Sequence, residues 1–133
     1  MGYTHYWNIN GPLDEDKWLE FTHRCQDVIE AAWLSNINIA RDYDTPNVIP
    51  ELSSDYVWFN GVEDEGHETF AIKRAGGRDF CKTARKPYDA AVVACLMEGH
   101  RIFGDDLTWS SDGDGEPEQK EGALKLLRVA EPA

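Results

Sequence analysis

The sequence predicts an α+β protein with a ferredoxin-like fold, in which two helices cover one face of a four-stranded antiparallel sheet. Its length of 133 residues suits a single domain spanning residues 1–133. Its aromatic content of 11% is too high for a disordered chain. Apolar residues alternate in four short segments and recur every three to four residues in two longer ones. These segments follow the order β-α-β-β-α-β, which is typical of the split-βαβ arrangement.

The first half of the chain predicts one strand, one helix and a long connector. Residues 3–9 are aromatic and β-branched, and the Asn-Gly-Pro that follows them is typical of a turn. From Leu13 to about Leu34 the apolar residues have helical spacing, and acids at 14–16 lie where the helix dipole favours negative charge. The segment 35–55 contains two prolines and no sustained period, so we expect a connector there, with its role left open.

The second half predicts a hairpin, a helix and a last strand. The strands of the hairpin are Tyr56–Val62 and Glu68–Arg74. The second helix begins near Pro87, because a first-turn proline is tolerated, and it ends before Gly104. The remaining chain is predicted as a fourth strand at Leu107–Ser110, an acidic, irregular tail from about residue 112, and a short apolar stretch at Leu124–Val129.

Strand alternation predicts a polar and aromatic sheet face on the side away from the helices. This face includes Thr4, Tyr6, Asn8, Tyr56, Trp58, Asn60, Thr69, Lys73 and Ser110. Such a face suits a flat ligand or a partner subunit, and an ordinary solvated sheet face is the alternative. We expect a homodimer anchored on Trp58. The alternative is a monomer in which the 35–55 connector covers the rings through Ile49 or Leu52.

Composition restricts the possible partners. A net charge of −12 opposes generic nucleic-acid binding and adhesion to anionic membranes. No apolar run approaches the roughly 20 residues that cross a bilayer. The three cysteines are far apart and odd in number, which favours a reducing compartment over a disulfide framework. The sequence therefore predicts a cytoplasmic protein without a membrane partner.

The clearest local signal is a basic segment at residues 73–86. Six Lys and Arg residues and one acid give this segment a charge of +5 and leave −17 for the rest of the chain. Cations before a helix start oppose the helix dipole, so an anionic ligand there would relieve an unfavourable interaction. The alternative is that these cations pair with the abundant acids of the same chain. The predicted ligand-binding residues are Lys82, Thr83, Arg85, Lys86, Arg78, Tyr88, Trp58, Asn60 and His5.

Neither a cofactor nor a metal is predicted. His67 and Glu68 lack the ligand spacing of zinc motifs, and the acidic stretch from Asp112 fails the calcium-loop pattern at its glycine position. Catalysis stays open, because His5, His67 or Glu68 could move a proton near a bound anion. We expect binding without turnover.

Three motifs resemble a family of small proteins found mainly in tailed bacteriophages and prophages. They are MGYTHYW at the start, FCKTARKPYD in the basic segment and SSDG at 110–113. The similarity extends from about residue 2 to 113 and carries over no catalytic residue. It implies a bacterial host and, for a protein of this size, a role against host defences.

Two functions follow from these observations. The first is a counter-defence protein that sequesters a small phosphorylated or nucleotide-like ligand at the start of the second helix. The alternative is an acidic inhibitor that mimics nucleic acid and binds a host defence protein, since charge outside the basic segment is strongly negative.

Overall fold

The computed structural model describes residues 3–112 and 117–131, and within these ranges the chain is an α+β protein. Its helices are α1 (Glu15–Leu34), α2 (Asp89–Phe103) and α3 (Pro117–Val129). Its strands are β1 (Thr4–Ile9), β2 (Ile39–Ala40), β3 (Glu51–Leu52), β4 (Tyr56–Gly61), β5 (Phe70–Lys73), β6 (Gly77–Lys82) and β7 (Leu107–Ser111). The α+β class is confirmed, and no helix of the described ranges is long and apolar enough to span a membrane.

All strand pairs of the described residues are antiparallel, and they form two sheets. One has the order β6-β1-β7, and in the other β4 pairs with β2, β3 and β5. The predicted hairpin is confirmed as β4–β5, and the predicted last strand pairs with β1. A single four-stranded ferredoxin-like sheet is not confirmed. Instead of the third predicted strand, β1 takes as its neighbour β6, which the sequence did not predict.

Helix α1 forms as its sequence pattern predicts. The Asp14 carboxylate accepts a hydrogen bond from the backbone N–H of Lys17 at 3.0 Å and so caps the first turn. Its apolar stripe, including Trp18, Phe21 and Cys25, is buried. Ser35 ends the helix, and its backbone N–H bonds to carbonyls of the last turn.

The core lies between the helices and the inner faces of the strands. Trp7 and Ile9 of β1 and Leu107 of β7 are buried there with apolar residues of α1 and α2. Helix α3 joins the same core through Ala123 and Leu126. The tail is therefore helical over Pro117–Val129 instead of irregular, whereas the part of the predicted tail at 113–116 lies outside the described residues.

The 35–55 connector contributes β2 and β3, which pair with different parts of β4: β2 with Asn60 and Gly61, and β3 with Val57 and Trp58. Its strands are two residues long, too short to produce a period in the sequence. Leu52 pairs with Val57, but Ile49 is 74% exposed and covers nothing. The connector packs over the β4 region, as the monomer alternative predicts, through other residues described below.

Candidate functional site

The outer face of the three-stranded β6-β1-β7 sheet carries a set of side chains that we call the platform. Alternation along each strand turns these side chains away from the helices. The platform consists of Tyr6, Asn8, Arg78, Phe80, Lys82, Thr108 and Ser110. The inner neighbours on β1, His5, Trp7 and Ile9, are buried.

Strand register brings the platform side chains into rows. Tyr6 lies opposite Phe80 on one side and Ser110 on the other. Asn8 lies between Arg78 and Thr108 in the same way. The platform thus combines aromatic rings, a guanidinium group, an amide and hydroxyl groups on one surface.

The pairs that the even-numbered residues of β1 form with β6 are of the closely spaced type. Backbone hydrogen bonds join Asn10 to Asp106 and Asp112 to Thr4, so the even-numbered residues of β1 bond to β7. The same residues therefore face β6 as non-hydrogen-bonded pairs, in which Cα atoms are about 4.5 Å apart and side chains approach most closely. Tyr6 and Phe80 form one such pair.

The platform is open to solvent and concave. Tyr6 is 44% exposed and Phe80 55% exposed, which is unusual for two large rings on one sheet face. A cavity of about 480 Å³ lies over them, and its wall includes Asn8, Arg78 and Thr108. This volume lies within the range of small-molecule sites.

The cations of the platform have no partner among the described residues: neither Arg78 nor Lys82 forms a side-chain hydrogen bond or ion pair there. The nearest carboxylates bind other donors. Glu68 accepts from the backbone N–H of Lys82 at 2.7 Å, and Asp79 accepts from the backbone N–H of Phe80 at 2.8 Å. Both cationic groups are therefore available to an external anion.

Asp112 fixes one end of the platform. Its carboxylate accepts from the Tyr6 hydroxyl and from the backbone N–H of Thr4, both at 3.1 Å. The bond to the hydroxyl orients the exposed Tyr6 ring. A ring held in place loses little conformational entropy when a ligand stacks on it.

The start of α2, where the sequence predicted an anionic ligand, is occupied by the chain's own carboxylate. Asp89 is the first residue of the helix. Its Oδ1 accepts from the Thr83 hydroxyl at 2.5 Å and lies 2.5 Å from His5 Nε2. This carboxylate provides the negative charge that the helix dipole favours, so the predicted need for an external anion disappears.

Two predicted ligand residues near this helix start are buried. Thr83 is completely buried and bonded to Asp89. Tyr88 is also completely buried, and its hydroxyl donates to the backbone carbonyl of Glu68 at 2.5 Å. Burial raises the pKa of the Tyr88 hydroxyl strongly. Thr83 presents no hydroxyl to a phosphate, and Tyr88 presents no ring to a base.

Arg85 and Lys86 lie near the same helix start, on a separate and smaller concavity of about 270 Å³. The guanidinium carbon of Arg85 lies 4.0 Å from the centre of the Tyr3 ring. Asp89 also lines this concavity, so its negative charge lies beside the two cations. The loop that holds them has left-handed backbone at Ala84 and Arg85, with φ of 53° and 58°.

Trp58 and Asn60 of β4 are engaged inside the chain. The Trp58 ring is half-buried, its indole N–H donates to Asp42 at 3.1 Å, and the Arg41 guanidinium lies 5.1 Å from the ring centre. Asn60 is completely buried, and its side chain bonds to the backbone of Gly61 and His67. Trp58 is therefore covered by the connector and Asn60 shapes a turn, so neither presents an open ligand group.

Two titratable side chains of the platform strands, His5 and Cys81, face away from the platform. The His5 side chain points to the inner face and is completely buried, and among the described residues its Nδ1 has no hydrogen-bond partner. Burial raises the pKa of the Cys81 thiol to about 12, which keeps it protonated and unreactive at neutral pH. In the described ranges no group of three His, Cys, Asp or Glu residues could hold a metal ion.

The structure thus brings together only Arg78 and Lys82 of the predicted set on an open surface. It adds Phe80, which the sequence analysis did not single out. The signal was present as the alternation Arg78-x-Phe80-x-Lys82, the period of a strand with an exposed face. Comparison with known proteins finds no matching family model, no matching curated protein and no matching solved structure.

Proposed function

We propose that this chain is a binding protein that holds a small, planar, anionic ligand of the nucleotide type on its platform, without turnover. The observation that supports this best is the combination of two exposed rings, Tyr6 and Phe80, with the Arg78 guanidinium, which no side chain within residues 3–112 and 117–131 binds. A solvated sheet face seldom exposes two large rings beside an unpaired cation. The site therefore lies on the sheet, and the start of α2 is not part of it.

The rings supply the attraction for a base. Every nucleobase has a π-face, and stacking on an aromatic side chain is worth about 1–3 kcal/mol per base. Asn8 and Thr108 lie in the same cavity and can exchange hydrogen bonds with base edges or ribose hydroxyls.

Arg78 supplies recognition of the phosphate. A guanidinium can donate two parallel hydrogen bonds to phosphate oxygens, which favours this ligand class over a merely apolar one. Lys82 adds a second positive charge on the same strand face. The acidic character of the whole chain limits this attraction to short range and opposes long polyanions.

The absence of turnover is supported by the positions of His5 and Tyr6 on opposite faces of the sheet. His5 and Tyr6 are successive residues of β1, so their side chains point to opposite faces. A ligand stacked on Tyr6 is therefore separated by the sheet from the His5–Asp89 pair. General acid–base catalysis by His5 requires contact within hydrogen-bond distance, which this arrangement does not provide, and the nearby carboxylates of Glu68 and Asp112 already accept hydrogen bonds from the chain.

In the phage setting that the sequence resemblance implies, such a protein would act in the host cytoplasm by lowering the free concentration of a nucleotide signal. Sequestration needs affinity and abundance and no catalytic step. The sequence-based prediction of a nucleotide-like ligand is kept in this proposal, while the residues that bind it move from the helix start to the platform.

Titration calorimetry with the four ribonucleoside 5′-monophosphates tests the proposal. We expect at least one to bind, and we expect Arg78→Ala to weaken that binding by about tenfold or more, as loss of a charge-assisted hydrogen bond does. Lys86→Ala is the matched control, because it removes one positive charge of the same basic segment at the helix start. Equal losses in the two variants, or no binding by the unmodified protein to any nucleotide tested, would contradict the proposal.

A further inference from the structure

We infer that the ligand of the platform is a dinucleotide unit, with two bases and two phosphates, and not a mononucleotide. This inference rests on the proposed function and specifies its ligand. The observation that supports it is that two rings from neighbouring strands are exposed on one face, together with two cations that have no partner in the part of the chain that the structure describes.

Each ring can receive one base. Tyr6 and Phe80 are opposite residues of β1 and β6, and both line the same cavity. Among the ring contacts of the described residues, none joins Tyr6 to Phe80, so the two rings do not stack on each other. A mononucleotide that stacks on one of them leaves the other ring in water. Aromatic residues on adjacent strands of an open sheet are a known arrangement for binding successive bases.

The cations fit two phosphates. Arg78 and Lys82 lie two residues before and two residues after Phe80, on the same face of β6. Their Cα atoms are therefore about 13 Å apart, at about 3.3 Å per strand residue. One phosphate group cannot bond closely to both side chains while its base stacks between them. A second phosphate, joined through the next nucleotide, gives the second cation a partner.

The neighbouring carboxylates limit the ligand at one end of this row. Glu68 and Asp112 lie at the Lys82 end. A longer chain of phosphates would pass close to these acids, which repel it. Two phosphates use the two unpaired cations of the platform and require no further positive charge.

The test compares adenosine 5′-monophosphate with two probes that each carry two adenines and two phosphates: the linear 5′-phosphorylated diadenylate and the cyclic 3′,5′-linked diadenylate. We expect the better of the two probes to bind about 5- to 150-fold more tightly than the monophosphate, the increment that one additional stacked base provides. A preference for the linear probe identifies an oligonucleotide end as the source, and a preference for the cyclic probe identifies a cyclic signalling nucleotide.

Variants of Phe80 separate stacking from general effects on folding. Phe80→Ala removes one ring, so the affinity ratio between the better diadenylate and the monophosphate should fall by about fivefold or more, the increment of one stacked base. Phe80→Tyr keeps the ring and should keep the ratio. Tyr43→Ala, which removes an exposed ring elsewhere, is the control that should change nothing. The ratio is an internal measure, because partial unfolding would weaken both ligands equally.

The two proposals fail in different ways. If the monophosphate binds and both diadenylates bind within twofold of it, the dinucleotide inference is wrong and the proposed function stands. The inference is also wrong if this affinity ratio is the same in Phe80→Ala as in the unmodified protein. If none of the mononucleotides or diadenylates binds, the proposed function itself is wrong.

Discussion

The basic segment 73–86 passes through two environments that treat its cations in opposite ways. In β6, Arg78 and Lys82 extend from an open sheet face and have no partner among the described residues. A few residues later, the chain turns into α2 and places Asp89 at the helix start, beside Arg85 and Lys86. One half of the segment is available to a ligand, whereas the other half is balanced within the chain.

The difference shows what makes a cluster of positive charge into a site. The same helix dipole that would attract an external anion also attracts a carboxylate from the chain. Asp89 is the first residue of α2 and serves that role, with Thr83 and His5 as its donors. Availability therefore depends on where the chain's own acids bind and not on the number of cations in a stretch of sequence.

The largest expected effect on stability tests the half of the basic segment that leads into α2. Asp89→Ala removes the shared acceptor of Thr83 and His5, and among the described residues it leaves the Thr83 hydroxyl only a long contact of 3.5 Å with the Tyr3 carbonyl, so the free energy of unfolding should fall by about 2–5 kcal/mol. Urea denaturation measures this loss. Asp44→Ala, at an exposed acid, is the control and should stay within about 0.5 kcal/mol of the unmodified protein. An equally small effect of Asp89→Ala would mean that the Asp89 carboxylate does not stabilise the start of α2.

A smaller effect is expected at a second paired carboxylate of α2. Burial opposes the ionisation of Glu98, but hydrogen bonds from Arg101 at 2.7 Å and Arg24 at 2.7 Å outweigh it and lower its pKa. The stabilisation is therefore present above the unfolded pKa of Glu98 and is lost as the pH falls through its lower folded pKa.

Glu98→Gln should lower the free energy of unfolding at neutral pH by about 1–3 kcal/mol. Because glutamine does not titrate, the difference between the variant and the unmodified protein should shrink as the pH falls below about 4. Urea denaturation at a series of pH values measures it. A difference that stays constant with pH would show that the ion pairs of Glu98 do not contribute through its charge.

The smallest effect on stability is expected in β6, the half of the basic segment on the open sheet face. Phe80→Ser removes a ring that is 55% exposed and breaks no side-chain hydrogen bond of the described residues, so the free energy of unfolding should change by no more than about 0.5 kcal/mol. Thermal denaturation in the absence of ligand checks this. A substantial loss would show that the exposed ring has a structural role, which would weaken the case for a binding platform.

Much of the fold could be predicted because long periodic patterns are hard to mistake. The stripe of α1 through Trp18 and Phe21 and the alternation of β1 both form as predicted. Strand β6 was missed because, of its residues, only Cys81 is buried, so no apolar alternation marked it. Gly77 and the surrounding charges gave it the composition of a loop.

The site was harder to predict than the fold, because it depends on pairs that are distant in sequence. Tyr6 and Phe80 become neighbours only through the register of β1 with β6. Likewise, nothing local shows that Asp89 would bind Thr83 and the distant His5. The sequence marked the basic segment, but it could not show which of its cations lie beside a carboxylate of the chain and which lie on the outer sheet face.

Chemical-shift mapping of the isotope-labelled protein during titration with the linear 5′-phosphorylated diadenylate tests this account most directly. If the platform is the site, the backbone amide shifts should concentrate at residues 6–8, 78–82 and 108–110, and the amides of residues 84–90 should move little. Shifts concentrated at 84–90, with the platform amides unchanged, would contradict the account and return the site to the start of α2.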